Sequence, residues 1–204
     1  MKSKIILSGI AAILTSVAGA NALEYRPFVG VSMGMQSMIY SDDVKDVERA
    51  NGIDFPSDFF AFGIDGGVRF GAYNEIYNGG LTVSATKTTY SKVQQKYTDT
   101  RVASADAFDM SVSYDNYIRI SGDKTSRIDL VLGAGLGAYT YHLDPVMGDS
   151  ETRWSFAPEL KVGMDFELTQ NITLSANGRA IIPTRSDYAM DMSYIFGGTV
   201  KYLF

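Results

Sequence analysis

Residues of the opposite character alternate along almost the whole chain, and this period of two constrains the fold more than any other feature. The clearest run extends from Thr152 to Leu168. One face reads Thr152, Trp154, Phe156, Pro158, Leu160, Val162, Met164, Phe166, Leu168; the other reads Arg153, Ser155, Ala157, Glu159, Lys161, Gly163, Asp165, Glu167. A helix, with its period of 3.6, would mix the two sets, whereas a strand sends successive side chains to opposite faces. The same split recurs over 60–70, 108–119, 128–138, 172–182 and 194–204, and more loosely over 24–39 and 76–90. Eight strands are predicted. Lys87 falls on the apolar face of the third, which places either a bulge or the strand's exit from the apolar zone there.

The connections come in two lengths. Tyr73–Glu75, Ser121–Thr125 and Thr169–Asn171 are short and carry turn chemistry; Ile39–Asp58, Ser91–Ala103, Asp144–Ser150 and Pro183–Met190 are long. Short and long alternate, so the strands run up and down and every long loop lies at one end.

Alternation alone does not say which face points inward. An eight-stranded barrel has an interior just wide enough for its own side chains. Phe60, Phe62, Phe70, Phe108, Trp154, Phe156, Phe166, Phe196 and Phe204 cannot share that space with the leucines and valines; the face rich in Gly, Ser, Asp and Arg fits it. The rings also segregate. Phe60, Phe108, Trp154, Phe156, Tyr194 and Phe196 stand at the long-loop end of their strands, and Phe70, Tyr77, Phe166, Tyr202 and Phe204 at the other. From Phe60 to Phe70 the rise is ~23 Å at ~3.3 Å per residue and a tilt near 45°, close to the apolar band of a transmembrane barrel. A soluble barrel or sandwich has no reason to match that height. The predicted fold is therefore all-β, an eight-stranded antiparallel up-and-down transmembrane β-barrel.

The beginning of the chain agrees with export. Lys2 and Lys4 precede an apolar run from Ile5 to Val17 and then small residues, the three-part pattern of a cleavable signal peptide. Cleavage after Ala20 or Ala22 satisfies the small-x-small rule; the second divides the chain into a signal peptide, residues 1–22, and a barrel domain, residues 23–204. Loss of the two lysines moves the formal net charge from −5 to −7, which disfavours nucleic acid as a partner. With no cysteine, disulfides, thiolate chemistry and cysteine metal sites are excluded.

The inward face is expected to carry Asp65, Arg69, Asp109, Asp115, Arg119, Arg127, Asp129, Glu159, Lys161, Asp165, Glu167, Arg179 and Lys201. Seven acids face six bases. An isolated charge in a narrow interior costs several kcal/mol, so near-balance predicts a salt-bridged closed lumen. The alternative is a narrow gated pore in which the pairs exchange partners to pass ions or small solutes.

Other candidate chemistry is thinner. His142, in "YHLDP", is the single histidine; with Asp144 and Ser150 or Ser155 it frames a lipid-modifying enzyme as an alternative. "GAGLGAY" (133–139) has the wrong third-glycine spacing for a dinucleotide loop. "NIT" at Asn171 matches a glycosylation acceptor but sits in a short turn. The longest loop holds Asp42, Asp43, Asp46, Glu48 and Asp54 without the rhythm of a calcium loop. It is the candidate recognition loop, with a helical turn expected near 42–50. No catalytic residue, cofactor or metal is expected.

The alternating strands, the turn–loop rhythm and the terminal "VKYLF" together resemble the small eight-stranded outer-membrane barrels of Gram-negative bacteria, of the OmpA, OmpX and opacity-protein type. In that family the final strand ends in Phe with aromatics at alternate positions, which the barrel-assembly machinery reads; Tyr202 and Phe204 match. The resemblance implies a monomer in the cell outer membrane, in contact with outer-membrane lipid and lipopolysaccharide. It also implies a non-enzymatic role in envelope integrity or adhesion, with a host or surface ligand met by four extracellular loops. Omptin-type proteases need ten strands, for which this chain is short.

Overall fold

The computed structural model describes residues 24–72, 75–89, 91–98, 100–122, 127–185 and 189–204. The predicted signal peptide lies outside the described residues, as do parts of the turns at 73–75 and 121–125 and of the loop at 183–190. In chain order the elements are β1 (Tyr25–Tyr40), α1 (Asp42–Asn51), β2 (Ile53–Asp54), β3 (Asp58–Phe70), β4 (Tyr77–Thr88), β5 (Ser91–Gln95), β6 (Arg101–Gly122), β7 (Arg127–Pro145), β8 (Glu151–Glu167), β9 (Ile172–Ile181) and β10 (Met190–Leu203).

Eight of these strands close a ring in the order β1–β3–β4–β6–β7–β8–β9–β10, with β10 returning to β1 and every pairing antiparallel. At the closing seam Gly34 faces Gly197. A Cβ on Gly34 would stand 2.2 Å from the Phe196 carbonyl oxygen and 2.7 Å from the Gly197 Cα, so the seam closes there only without side chains. The last residues are tied rather than frayed: the Phe204 amide donates to the Pro27 carbonyl at 2.9 Å and the Leu203 amide to the Asn171 carbonyl at 2.7 Å.

The greasy face points outward. Val31, Met33, Ile64, Val112, Leu136, Leu160, Val162 and Val200 are exposed, flanked by rings at the two ends. Trp154 and Phe156 meet edge to face at 5.4 Å at the long-loop end, as do Tyr202 and Phe204 at 5.2 Å at the other. Pairing runs through Lys87 without a register shift. Of the two readings of that lysine, the exit from the apolar zone holds, and its ammonium pairs with Asp106.

The wall is uneven. β6 has 22 residues and β7 has 19, whereas β9 has 10, so one side rises beyond the outer aromatic ring. Residues 91–103 are not wholly a loop: β6 begins at Arg101, β5 pairs with its outer end, and β2 pairs with β5. The period was hidden there because the inward residues, Ala103, Ala105 and Ala107, are small rather than polar. Residues 39–58 likewise hold the ten-residue helix α1, which starts after Ser41, carries Asp42 and Asp43 in its first turn and ends on Gly52 at φ 61°. Acids at the helix start complement its dipole, and glycine accepts the left-handed turn that stops it.

Candidate functional site: the lumen and its outer mouth

All thirteen ionic residues read from the sequence lie on strands of the ring, and the lumen sorts them into clusters. Nearest the short-turn end, Arg69 of β3 meets Asp129 of β7 at 2.5 Å and Glu167 of β8 at 3.1 Å. Arg127, fully buried, donates through Nε to both Asp129 oxygens at 2.6 and 2.8 Å. Arg119, half-buried, stands opposite Asp129 in the β6–β7 register. Asn78, oriented with its amide oxygen toward the guanidinium groups, accepts from Arg127 at 2.6 Å and from Arg69 at 3.2 Å. The Arg69 guanidinium also lies 4.4 Å from the centre of the Tyr117 ring, a favourable contact between a cation and a π face.

Midway, Asp115 accepts from Lys161 at 2.7 Å, Thr82 at 2.7 Å and Ser113 at 3.1 Å. Asp165 accepts from Lys201 at 2.9 Å and Ser175 at 2.6 Å. Nearer the long-loop end Arg179 faces Asp109 at 3.3 Å and Glu159 at 3.5 Å and donates to Thr86 at 2.6 Å. Asp65, half-buried, accepts from Thr199 at 3.4 Å. Each buried charge thus faces a counter-charge or hydroxyl, which such a site requires because removal from water is otherwise costly. Between these groups lies a cavity of about 20 Å³, lined by Asp65, Lys161, Arg179 and Lys201 among others; that is room for about one water.

Contacts among the described residues join strands four places apart in the ring of eight, and so span its diameter: Arg69–Glu167, Arg179–Thr86, Gln36 of β1 donating to the Tyr139 hydroxyl of β7 at 2.5 Å, and the Lys201 ammonium of β10 lying 5.9 Å from the centre of the Tyr117 ring of β6. Sequence reasoning named the charged members but passed over Arg26, which lies 3.5 Å from Glu167, and the neutral partners Gln36, Asn78, Thr82, Thr86 and Tyr139. Parity marked most of them, since they share the inward face; their uncharged side chains did not single them out.

The outer mouth differs from the expectation of an ionic lumen throughout. Met38, Tyr40, Phe59, Ala105, Ala107, Tyr139, Tyr141, Ile181, Met190 and Ile195 pack there into an apolar plug, against which Val44 of α1, Ile53 and Phe55 lean. The candidate recognition residues stand above it. On α1, Asp42 pairs with Lys45 at 3.1 Å and Asp46 with Arg49 at 2.9 Å, while Glu48 accepts from the Phe55 amide at 2.9 Å and ties the helix to the segment between β2 and β3. Asp43 and Asp54 are exposed. Among the described residues no three acidic or histidine side chains converge as a metal site.

His142 is half-buried on the outward side of β7, with Nδ1 2.8 Å from the Thr152 hydroxyl and Asp106 opposite it in register. Ser155 is buried on the inward face, where its hydroxyl donates to the Phe156 carbonyl and accepts from the Thr184 amide at 3.1 Å. Histidine and serine therefore lie on opposite faces of the wall.

A closed antiparallel ring with an apolar exterior between two aromatic girdles and an ion-paired interior defines the class of small eight-stranded transmembrane β-barrels. The architecture is that of the small outer-membrane barrels. The chain is similar to Ail, the attachment invasion locus protein of Yersinia pestis, solved with the heparin analogue sucrose octasulfate: TM-score 0.54 at 16% identity, over 89% of this chain and 99% of that one. It is similar to Neisserial surface protein A, with TM-score 0.53 at 13% identity over 90% and 100%, and to the N-terminal β-barrel domain of Pseudomonas aeruginosa OprF, with TM-score 0.50 at 10% identity over 87% and 97%. No family model matches the chain, and no curated protein matches it by sequence. At these identities the likeness concerns the fold.

Proposed function

We propose that this chain is a non-enzymatic, monomeric barrel of the outer membrane that braces the envelope and presents its long loops to partners outside the cell. The observation that carries the reading is the obstructed lumen: diametric polar ties below, an apolar plug above, and a single-water cavity between them. Outward rings and aliphatic residues anchor it in outer-membrane lipid and against lipopolysaccharide. Tyr202 and Phe204, exposed on the last strand, serve the barrel-assembly machinery. The attachment role in Ail's name supports adhesion as the task of the loops. The exposed carboxylates Asp42, Asp43 and Asp46 favour a cationic surface as what α1 meets.

The test compares wild-type cells with cells expressing a deletion of Asp42–Asp54 for binding to cationic and anionic surfaces, with heat-modifiable mobility as the folding control. Selective loss of cationic binding is expected; unchanged binding overturns the recognition role. A steady conductance in planar bilayers that changes in Lys161→Ala would favour the pore instead. A lipid A mass change on expression that disappears in His142→Ala would favour the enzyme.

A further inference from the structure

The outward face of the wall changes character where β6 and β7 rise past the outer aromatic ring. Phe108 on β6 and Trp154 on β8 belong to that ring. Above them the same face carries Asp106 and Ser104 on β6, His142 and Asp144 on β7, and Thr152 on β8. The register sets these residues in rows: Asp106 faces His142, which faces Thr152, and Lys92 of β5 faces Ser104, which faces Asp144. Ser104 stands four residues beyond Phe108, a rise of ~9 Å at ~3.3 Å per residue and a tilt near 45°. That height lies outside the hydrocarbon core and beside the headgroups. As the continuation of the lipid-facing wall, the face looks sideways along the membrane.

Its cations are not all neutralised. Lys87 pairs with Asp106, but Lys92 and Arg101 are exposed and have no acidic partner among the described residues. A bulge brings Arg101 to this face. Pairing passes from Val93–Ala103 to Gln94–Arg101, so Val102 is an extra residue on β6, and such a bulge re-aims the side chains beyond it. Three positions apart on a regular strand, Arg101 and Ser104 would point to opposite faces; here the guanidinium donates to the buried Ser104 hydroxyl. Lys92 and Arg101 thus flank one hydroxyl. In the row below, one Asp106 oxygen has no hydrogen-bond partner among the described residues, and His142 makes its hydrogen bond through Nδ1, which leaves Nε2 for another. Asp144 is the exposed carboxylate of these rows, so the face keeps a positive excess on a chain whose formal net charge is −5.

From these observations we propose that this face is a docking site for the phosphorylated sugar headgroup of lipopolysaccharide: Lys92 and Arg101 hold a phosphate beside Ser104, and Asp106 and His142 meet sugar hydroxyls in the row below. The requirement for an anion follows from two unpaired cations set at one hydroxyl. A phosphate suits the planar fork of Arg101, whose N–H groups match its oxygens. A sugar suits the row of carboxylate, imidazole and hydroxyl across a flat sheet. A lipid follows from the height and from continuity with the lipid-facing wall. A free polyanion would first meet α1, which presents Asp42, Asp43 and Asp46 to the medium. The site rests on the outer-membrane reading above and adds to it, since rings and aliphatic residues meet the acyl chains whereas this face meets the headgroup.

The test uses the full mature chain in phosphatidylcholine nanodiscs doped with bisphosphorylated lipid A, and native mass spectrometry counts the lipid that the barrel retains. Dephosphorylated lipid A, with the same acyl chains, is the control. Wild-type protein is expected to prefer the phosphorylated form about tenfold, and Lys92→Gln combined with Arg101→Gln to abolish that preference, the loss of charge-assisted hydrogen bonds. Arg49→Gln, which removes a cation from α1 instead, is expected to keep it. Phosphatidylglycerol, a phosphate without the sugar, is expected to bind more weakly than lipid A. Equal retention of the two lipid A forms, an undiminished preference in the double variant, an equal loss in Arg49→Gln, or phosphatidylglycerol held as tightly as lipid A would each overturn the site while unboiled mobility still reports a folded barrel. A wild-type chain that never shows that mobility in lipid would overturn the outer-membrane reading and the site with it.

Discussion

Arg69 on β3 reaches Glu167 on β8 at 3.1 Å, and the two strands stand on opposite walls with three strands between them in either direction. The same guanidinium holds Asp129 of β7 and lies over Tyr117 of β6. One side chain therefore ties three other strands and sets the cross-section of the barrel at its short-turn end.

Removing that tie leaves buried carboxylates short of a partner. Arg69→Met is expected to destabilise the barrel by about 3 kcal/mol, the cost of breaking a buried ion pair from one side, read as a lower urea midpoint for unfolding from lipid vesicles. Glu167→Gln alone should also destabilise. The double variant should show a coupling of at least about 0.5 kcal/mol; strict additivity would mean that the contact carries nothing.

Glycine at the closing seam and glycine on the neighbouring strand β3 have different meanings. Gly34→Val forces a side chain against the backbone of β10, so the chain is expected to lose its heat-modifiable band. Gly66→Ala meets nothing nearer than the Phe28 carbonyl at 3.9 Å and should keep the wild-type band. Equal behaviour of the two variants would contradict the geometry of the β1–β10 seam.

The outward face makes a depth-dependent prediction. Val162 is exposed at mid-height on β8, and Trp154 lies at its outer girdle. Val162→Arg should cost about 2–4 kcal/mol in a bilayer and Trp154→Arg only about 0–1 kcal/mol for its charge, apart from lost ring contacts. Refolding titrations in vesicles measure both. A mature chain that stays folded and soluble without detergent would remove the basis for this difference.

Within the plug, Phe59 is buried at 1% exposure, and its chain neighbour Phe60 faces outward. Phe59→Ala is expected to cost about 3–5 kcal/mol by opening a cavity and to speed protease cleavage in α1, because Val44 and Phe55 lean on the same cluster. Phe60→Ala, where lipid refills the space, should cost less and leave cleavage unchanged.

Much of this was legible in the chain because a strand's period is two: parity alone assigns Leu160 to one face and Lys161 to the other, and the volume of nine large rings decides which face is out. Legibility failed where the contrast between faces failed. Ala103, Ala105 and Ala107 alternate with Val102, Ser104 and Asp106 in a pattern that announces no buried side, so the outer end of β6 and its pairing with β5 were missed. Thr86 and Gln36 share the inward parity, but nothing local marks them as spanning partners.

The sequence by itself determined the number of wall strands, their up-and-down order and the face each residue presents, since these depend on neighbours one or two positions away. The tertiary structure decided which charges meet, because ring closure and strand stagger bring Arg69 to Glu167 across 98 positions of chain. It also decided that the lumen changes from ionic to apolar at its mouth. That boundary depends on how far each wall rises past its neighbours, a property of the closed cylinder that no single strand contains.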